Sequence, residues 1–379
     1  MTLLQRIQGI NWKATFALDL VFIVLMVTVN GWALPTAVVL SQAIFWLLRL
    51  VWISPTLLRF ILKRLLHMIP ILLSVIAIGF LLIQLAPGDI FTQMQLNPNI
   101  RPSDIENFRR QFGLDQPWYV QFVLYVVRAV QGNFGFSIQW RVPVFTLVSM
   151  RAWNTIMLSV TALAFSWGLS IPMGILASTK QYKWQDQTIS VFAFIGLAIP
   201  NFFLAFLLQF ALTRLAPGAW PISGMRSLNH ENLSAIGQFF DIARHMVLPV
   251  FVIGTSGMAS LTRIMRANML DILNQQYIVT AKAKGLSDRV VIYKHALRNA
   301  INPMITILGF QIASIMSGAA LTEVVLSWPG LGSLILSAIT SQDLYLVIGS
   351  LIYGSILLVI GNLIADILLA VVDPRVRIS

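Results

Sequence analysis

Apolar residues fall along this chain in long, nearly unbroken runs rather than in the stripes of a half-buried soluble helix or strand. Six runs make up the main body, at approximately 65–85, 155–178, 188–212, 246–261, 301–326 and 344–372. Each is near or above the roughly 20 residues that a helix needs to cross a bilayer, except the fourth, which is expected to continue helically into its charged flank. Two further runs, 15–31 and 36–53, are separated only by a Trp-Ala-Leu-Pro turn. No small-residue cleavage site follows the first of them, so it does not read as a signal peptide. The pattern predicts an all-α polytopic membrane protein of about eight spans. A six-helix core occupies 56–379, preceded by a transmembrane hairpin in 1–55.

The polar positions between the runs set an orientation. Arg59, Lys63 and Arg64 precede the first body span, and Lys180 and Lys183 lie in the short second connection. Arg263, Arg266, Lys282, Lys284, Arg289, Lys294 and Arg298 surround the fourth, while Arg375 and Arg377 close the chain. These positions alternate consistently, which places them, and both termini with Arg6 and Lys13, on the cytoplasmic side. The segments 87–151, 214–245 and 327–343 then face outward. Within the hairpin, Asp19 and Arg49 are each fifteen residues from Leu34 at the turn. At equal depth they would form an ion pair that closes the hairpin, since either charge alone is costly there.

Composition narrows the function classes. Of 379 residues 57% are hydrophobic and 11% charged, against about 25% charged in soluble domains. Mean hydropathy is +0.79, so lipid is the solvent for much of the surface. The net charge of +12 is accounted for by loops against anionic lipid and does not call for nucleic acid. With no cysteine, disulfides, thiolate metal sites and cysteine catalysis are excluded. The four histidines, His67, His230, His245 and His295, are scattered without metal-ligand spacing, and no metal is expected. Neither H-E-x-x-H nor G-x-S-x-G occurs, and no G-x-x-x-x-G-K-[ST] loop for ATP phosphates.

One polar segment stands out: YIVTAKAKGLSDRVVIYKHALRNAINP, at 277–303. Good helix formers lead to Gly285, which can take the left-handed conformation that ends a helix. Ser287 is placed to cap a second short helix with Asp288 in its first turn, and Asn302-Pro303 breaks the chain before the fifth span. Ala281 and Ala283 offer a small surface for close packing, with Lys282 and Lys284 beside it. A solvated positive-inside loop and a docking site for a partner both fit this pattern.

The segment closely resembles the cytoplasmic coupling loop, the EAA loop, of binding-protein-dependent ABC importer permeases. The match is to the first, or B-type, permease of the dipeptide, oligopeptide and nickel branch. Its residues here are Tyr277, Ile278, Thr280, Ala281, Ala283, Lys284, Gly285, Leu286 and Ser287, then His295, Ala296, Leu297, Arg298 and Asn299. Val279 replaces the general motif's acidic residue and Leu297-Arg298 its Leu-Pro, departures usual in that branch. The likeness continues from Leu57 to the C-terminus through LAPGD at 85–89, RRQFGLDQP at 109–117, GNFGFSI at 132–138, SWPGLG at 327–332 and Asp373-Pro374-Arg375. Residues 1–55 lie outside it.

The resemblance implies a subunit without catalytic residues or cofactor of its own, in a bacterial cytoplasmic membrane. ATP and Mg would be bound by two ATPase subunits or domains, gripping the coupling loop (266–302) through Tyr277, Thr280, Ala281, Lys282, Ala283, Lys284, Gly285 and Leu286. A second, homologous permease subunit and an extracytoplasmic substrate-binding protein complete the expected set, and the solute would be a peptide, a nickel chelate, glutathione or a similar small molecule. An ion-driven secondary transporter is the alternative class, which predicts inverted repeats and midplane charges. Asp366 reads as the only acidic residue well inside the last five runs, and Asn362 lies one turn from it. Gln311, Ser314 and Gly318 share one face of the fifth run; Gln311 and Ser314 are the candidates for lining a pathway, while small residues also serve helix packing. Outside, 117–130 reads as an amphipathic interfacial helix with Trp118, Phe122, Tyr125 and Val126 on one face.

Overall fold

The computed structural model describes residues 55–85, 103, 106, 107, 110, 116–315 and 320–372. The predicted hairpin with its Asp19–Arg49 pair, Gly318, and the ending at 373–375 lie outside the described residues. The chain divides into two units, 1–69 with 363–379, and 70–362. The described part of the first is helical, the opening turns of one helix and the closing turns of another. The second contains the elements that follow, apart from the first turns of the first helix (55–69) and the last turns of the final one (363–372).

Helix α1 spans Pro55–Leu85 and α2 Trp118–Val130; a two-residue ribbon, β1 (Phe136–Ser137) against β2 (Val142–Pro143), leads into α3, Val144–Thr179. Then come α4 (Trp184–Ala198), α5 (Asn201–Leu215) and α6 (Ala235–Leu273). The charged segment holds α7 (Gln276–Ala283) and a second arm over 288–300, followed by α8 (Asn302–Ile315). Last are α9 (Ala320–Val325), α10 (Leu331–Thr340) and α11 (Leu344–Val372). Among the described residues four helices are long and apolar enough to cross a membrane, within α1, α3, α6 and α11, or five if α4 and α5 form one bent span.

Several boundaries differ from those the apolar runs suggest, for identifiable reasons. The sixth run coincides with α11. Helices α3 and α6 each start eleven residues before their runs, because polar side chains such as Arg151, Asn154, Asp241 and Arg244 interrupt hydropathy without interrupting backbone hydrogen bonding. At the far end α6 continues to Leu273, through the charged flank. The run at 188–212 is not one straight helix. Its axis turns by 104° between α4 and α5, because Pro200 has no N–H and forces Ile199 out of the helical region, to φ −90° and ψ 119°. The run at 301–326 is described as the 14-residue α8 and the 6-residue α9, neither long enough to cross alone.

The centre of the unit is the pairing of α3 with α6. Their approach is close enough that a Cβ on Gly254 would lie 2.5 Å from Cδ1 of Phe165, and one on Gly174 2.6 Å from Cβ of Met265. Between these two points the Ser166 hydroxyl donates to the Gly254 carbonyl at 2.8 Å. The contacts climb together along both helices, so the two run parallel. Parallel neighbours need the chain to return between them, and α4–α5 supply the return. Nineteen residues of α3 separate Thr155 from Gly174, about 28 Å of helix, which matches a hydrocarbon core of about 30 Å.

Helix α2 is turned differently from the expected interfacial anchor. Tyr125 is buried, stacked on Tyr345 at 6.0 Å and edge-on to Phe80 at 5.9 Å, and Phe122 meets Phe80 at 6.0 Å. Val126 packs on the same cluster, while Trp118, Tyr119, Val123 and Val127 form the exposed apolar side. Both faces being apolar, hydropathy alone does not say which one packs inward. Burial pushes the Tyr125 phenol pKa up.

Gly254→Leu should separate the helix pair and lower the thermal midpoint in detergent, by an overpacking cost of about 1–3 kcal/mol. Gly168→Ala, on α3 where a Cβ meets nothing within 4 Å, should be neutral or stabilising by up to about 1 kcal/mol. Thermal melts followed by size-exclusion chromatography separate the two.

Candidate functional site

At the C-terminal ends of α3 and α6 sits the charged segment. Gln276–Ala283 would not hold as an isolated eight-residue helix; α7 is fixed by its inner face. Ile278 and Ala281 are buried with Met265 and Met269 of α6, Val291, Ala296 and Ala300 of the second arm, and Met304 of α8. The helix ends as the glycine predicts. Gly285 has φ +79°, its N–H reaches the Lys282 carbonyl at 2.9 Å and the Leu286 N–H reaches Ala281 at 3.4 Å, the paired bonds of a Schellman ending. Ser287 precedes Asp288–Val290, one wide π-turn covers Val291–Ala296, and Leu297–Ala300 closes the arm.

Two side-chain bonds tie the arms together. Asn299 Nδ2 donates to the Tyr277 hydroxyl at 2.9 Å, and Asn268 of α6 donates to the Ala300 carbonyl at 3.1 Å. The expected small outer surface is therefore only half present: Ala281 faces the chain's own core, and Ala283 faces outward. Ile278, which sequence reasoning placed in the motif without a role, is the anchor. The outer face carries Tyr277, Val279, Thr280, Lys282, Lys284 and Leu286. Val279 is 53% exposed and Tyr293 on the second arm 58%, so apolar side chains stand uncovered among lysines.

Gln311 is half-buried, and its amide oxygen accepts the Trp167 indole N–H at 2.7 Å, linking α8 to α3. The side chains of Ser314 and Asp366 lie outside the described residues.

The opposite ends of α3 and α6 are fastened by acidic residues. Glu323 lies inside the fifth apolar run, was passed over in favour of Asp366, and is 1% exposed. Its carboxylate accepts from the Thr155 hydroxyl at 2.7 Å and the Ser333 N–H at 3.0 Å, and Thr155 in turn accepts the Leu331 N–H at 2.7 Å. The SWPGLG stretch wraps this group. Trp328 is fully buried and donates through Nε1 to the Asn154 carbonyl at 3.2 Å, while Asn154 donates to Pro329 at 2.9 Å. A side chain at Gly330 would run into the carboxylate, and one at Gly332 into Ala320, with the carboxylate next nearest. A cleft of about 400 Å³ opens beside the knot, lined by Arg151, Ser327, Leu336, Ser337 and Thr340.

The GNFGFSI stretch is held in a similar way. Asp343, fully buried before α11, accepts from the Ser137 hydroxyl at 2.7 Å, the Gln139 N–H at 3.1 Å and the Leu346 N–H at 3.3 Å. Two of the four histidines, His230 and His245, share one aspartate. His230 Nδ1 lies 2.7 Å from an Asp241 carboxylate oxygen and His245 Nδ1 3.4 Å from the other, and Ser227 donates to the same group. This pins the segment before α6 to its first turns.

A parallel pair of membrane-length helices, with a glycine-broken helical insert at one end and a carboxylate knot at the other, describes an integral membrane protein. Comparison with known proteins gives the family. The chain belongs to the inner membrane components of binding-protein-dependent transport systems: that family matches residues 170–378, and its N-terminal membrane component matches 57–165. It is 41% identical to the oligopeptide transport system permease protein AppB of Bacillus subtilis, over 84% of this chain and 98% of the relative. It is 34% identical to the dipeptide transport system permease protein DppB of Escherichia coli K12, over 84% and 99%. The glutathione transport system permease protein GsiC of Shigella flexneri is 33% identical, over 84% and 99%.

Glu323→Ala should leave the Thr155 hydroxyl and the Ser333 N–H without their acceptor, costing about 1–3 kcal/mol. The expected result is a lower thermal midpoint in detergent, with Thr155→Val moving it in the same direction. Because the two groups share one network, the double variant should lose less than the sum of the single losses.

Proposed function

We propose that this chain is a transmembrane permease subunit of an ATP-driven importer, forming half of a pathway for peptides or a similarly small solute. The observation that carries the reading is the uncovered face of the coupling segment. Val279, Leu286, Val290 and Tyr293 are apolar and exposed beside Lys282 and Lys284, on a two-armed segment whose inner face is packed against α6. Apolar groups ringed by charge are the composition of a protein-binding patch.

In this reading two ATPase subunits hold ATP and Mg, and each grips one permease through such a loop. This chain hydrolyses nothing itself and binds no cofactor. A second, homologous permease subunit completes the pathway, and an extracytoplasmic binding protein delivers the solute. The loop and both termini face the cytoplasm, as the distribution of Lys and Arg supports. A six-span domain over 56–379 follows an N-terminal hairpin in 1–55, about eight spans in all. The names of the relatives support peptides as the solute class; the glutathione permease among them favours a second reading, in which a glutathione-like thiol peptide is carried on the same fold. Coupling requires the ATP-bound and free states to hold the loop differently, since equal binding shifts nothing.

Co-purification in mild detergent tests the reading, with recovery of ATPase subunits as the measure. Proline cannot adopt the φ of +79° at Gly285, so Gly285→Pro should cut recovery by about tenfold, a loss near 1.4 kcal/mol. Val279→Asp should act in the same direction. Reversing Lys282 and Lys284 together should cost less, because exposed charges contribute little each. Unchanged recovery in all three would overturn the docking role.

A further inference from the structure

Beside the coupling segment, the structure holds a partly buried ion pair that the transport family does not by itself explain. Asp186, in the first turn of α4, is 3% exposed. It accepts from Arg266 of α6 through both oxygens, from Nε at 2.6 Å and from Nη2 at 2.7 Å. The Tyr182 N–H adds a third bond at 3.0 Å, made from a left-handed backbone, φ +63°. Arg266 adjoins Met265, and Met269 follows within a turn; both belong to the α6 surface clustered with Ile278 of the coupling helix. One turn of α6 therefore faces the coupling helix on one side and α4 on the other.

The rest of the α4–α6 contact is smooth. A Cβ on Gly196 would sit 3.2 Å from the Thr255 methyl and 3.3 Å from Ala259, and Arg263 lies over the Phe194 ring at 5.2 Å. Small and apolar surfaces of this kind allow packed helices to slide by shear. A two-pronged Arg–carboxylate pair in a poorly solvated site fixes both distance and orientation. Beyond α4 the chain turns through 104° at Pro200, so any displacement of α4 arrives at a bend.

We propose that the Asp186–Arg266 pair is the clamp that makes α4 move as one body with the coupling helix, and that Asp186 is a positioning residue for the transport stroke. The inference rests on the coupling role proposed above and adds the route by which the stroke leaves the loop. The force follows α7 to the Met265–Met269 turn of α6, then passes through the ion pair to α4 and the Pro200 bend.

The absence of native cysteine allows spin labels at Gln187→Cys on α4 and Gln276→Cys at the start of α7, both exposed. The full complex is measured without nucleotide and after trapping with ATP and vanadate, by electron–electron dipolar distances. With the clamp intact, the distance should be the same in both states. In Asp186→Asn, trapping should reduce the population at the resting distance about fivefold or more. The exchange Asp186→Arg with Arg266→Asp should restore part of it. Arg266→Lys keeps the charge but loses the fork, and should fall between; it is the second probe should Asp186→Asn not assemble. A distance that holds in Asp186→Asn, or one that changes with the clamp intact, overturns the inference. Recovery of ATPase subunits with the unsubstituted chain separates the cases. No recovery removes the coupling reading and the clamp with it; recovery with an unaffected Asp186→Asn removes the clamp alone.

Discussion

Everything described in the 70–362 unit hangs on the close approach of α3 and α6. In lipid there is little hydrophobic gain from pressing two helices together, so association depends on fit and on interhelical hydrogen bonds. Gly174, Gly254 and Gly257 supply the fit by removing side chains where the backbones meet. The Ser166 hydroxyl, bonded to the Gly254 carbonyl, supplies the bond. Because the pair is parallel, both helices end together, and the coupling segment can rest on α6 while α4 departs from the same end. Widening this contact would disturb both ends of the molecule at once.

The ends are held by carboxylates. Glu323, Asp343 and Asp186 each gather hydrogen bonds from segments far apart in sequence, and Asp241 gathers its own from within fourteen residues, in a chain with only 14 acidic residues. A buried ionised or polar group is costly unless it is satisfied, so each such group specifies one arrangement of its donors. Glu323 requires Thr155, the Ser333 amide and two glycines together, and that requirement accounts for SWPGLG as a structural sequence. GNFGFSI has the same relation to Asp343. Neither stretch needs a ligand to explain its composition.

Much of this was legible beforehand, unevenly. The last helix could be bounded because its run is almost wholly apolar, interrupted only by small polar residues and the single charge of Asp366. The turn at Gly285 followed from one residue with an unusual backbone freedom. Helices α3 and α6 were underestimated because hydropathy marks where lipid ends, not where helical hydrogen bonding ends. The bend at Pro200 had its signal in the sequence, but an unbroken apolar run masked it. Glu323 was missed for a different reason: its partners lie 168 and 10 residues away, and no local pattern records such a pairing. Ala281 and Ile278 show a further limit. Their spacing places both on one helix face, yet only the packed structure says that this face turns inward.

That inward face bears directly on how the loop can work. An eight-residue helix has too little cooperativity to keep its own shape under load; whatever grips it moves it only as far as its seat allows. The seat is an apolar layer of Leu261, Met265 and Met269 on α6 with Val291, Ala296 and Ala300 of the second arm, which conforms well but resists shear weakly. A pull transmitted through that layer alone would be spent in sliding. The two hydrogen bonds from Asn268 and Asn299 oppose this at the loop itself, and the Arg266 fork opposes it one helix further in. In the coupling role proposed above, directional bonds at both margins of a compliant apolar layer would let a docked helix act as a lever.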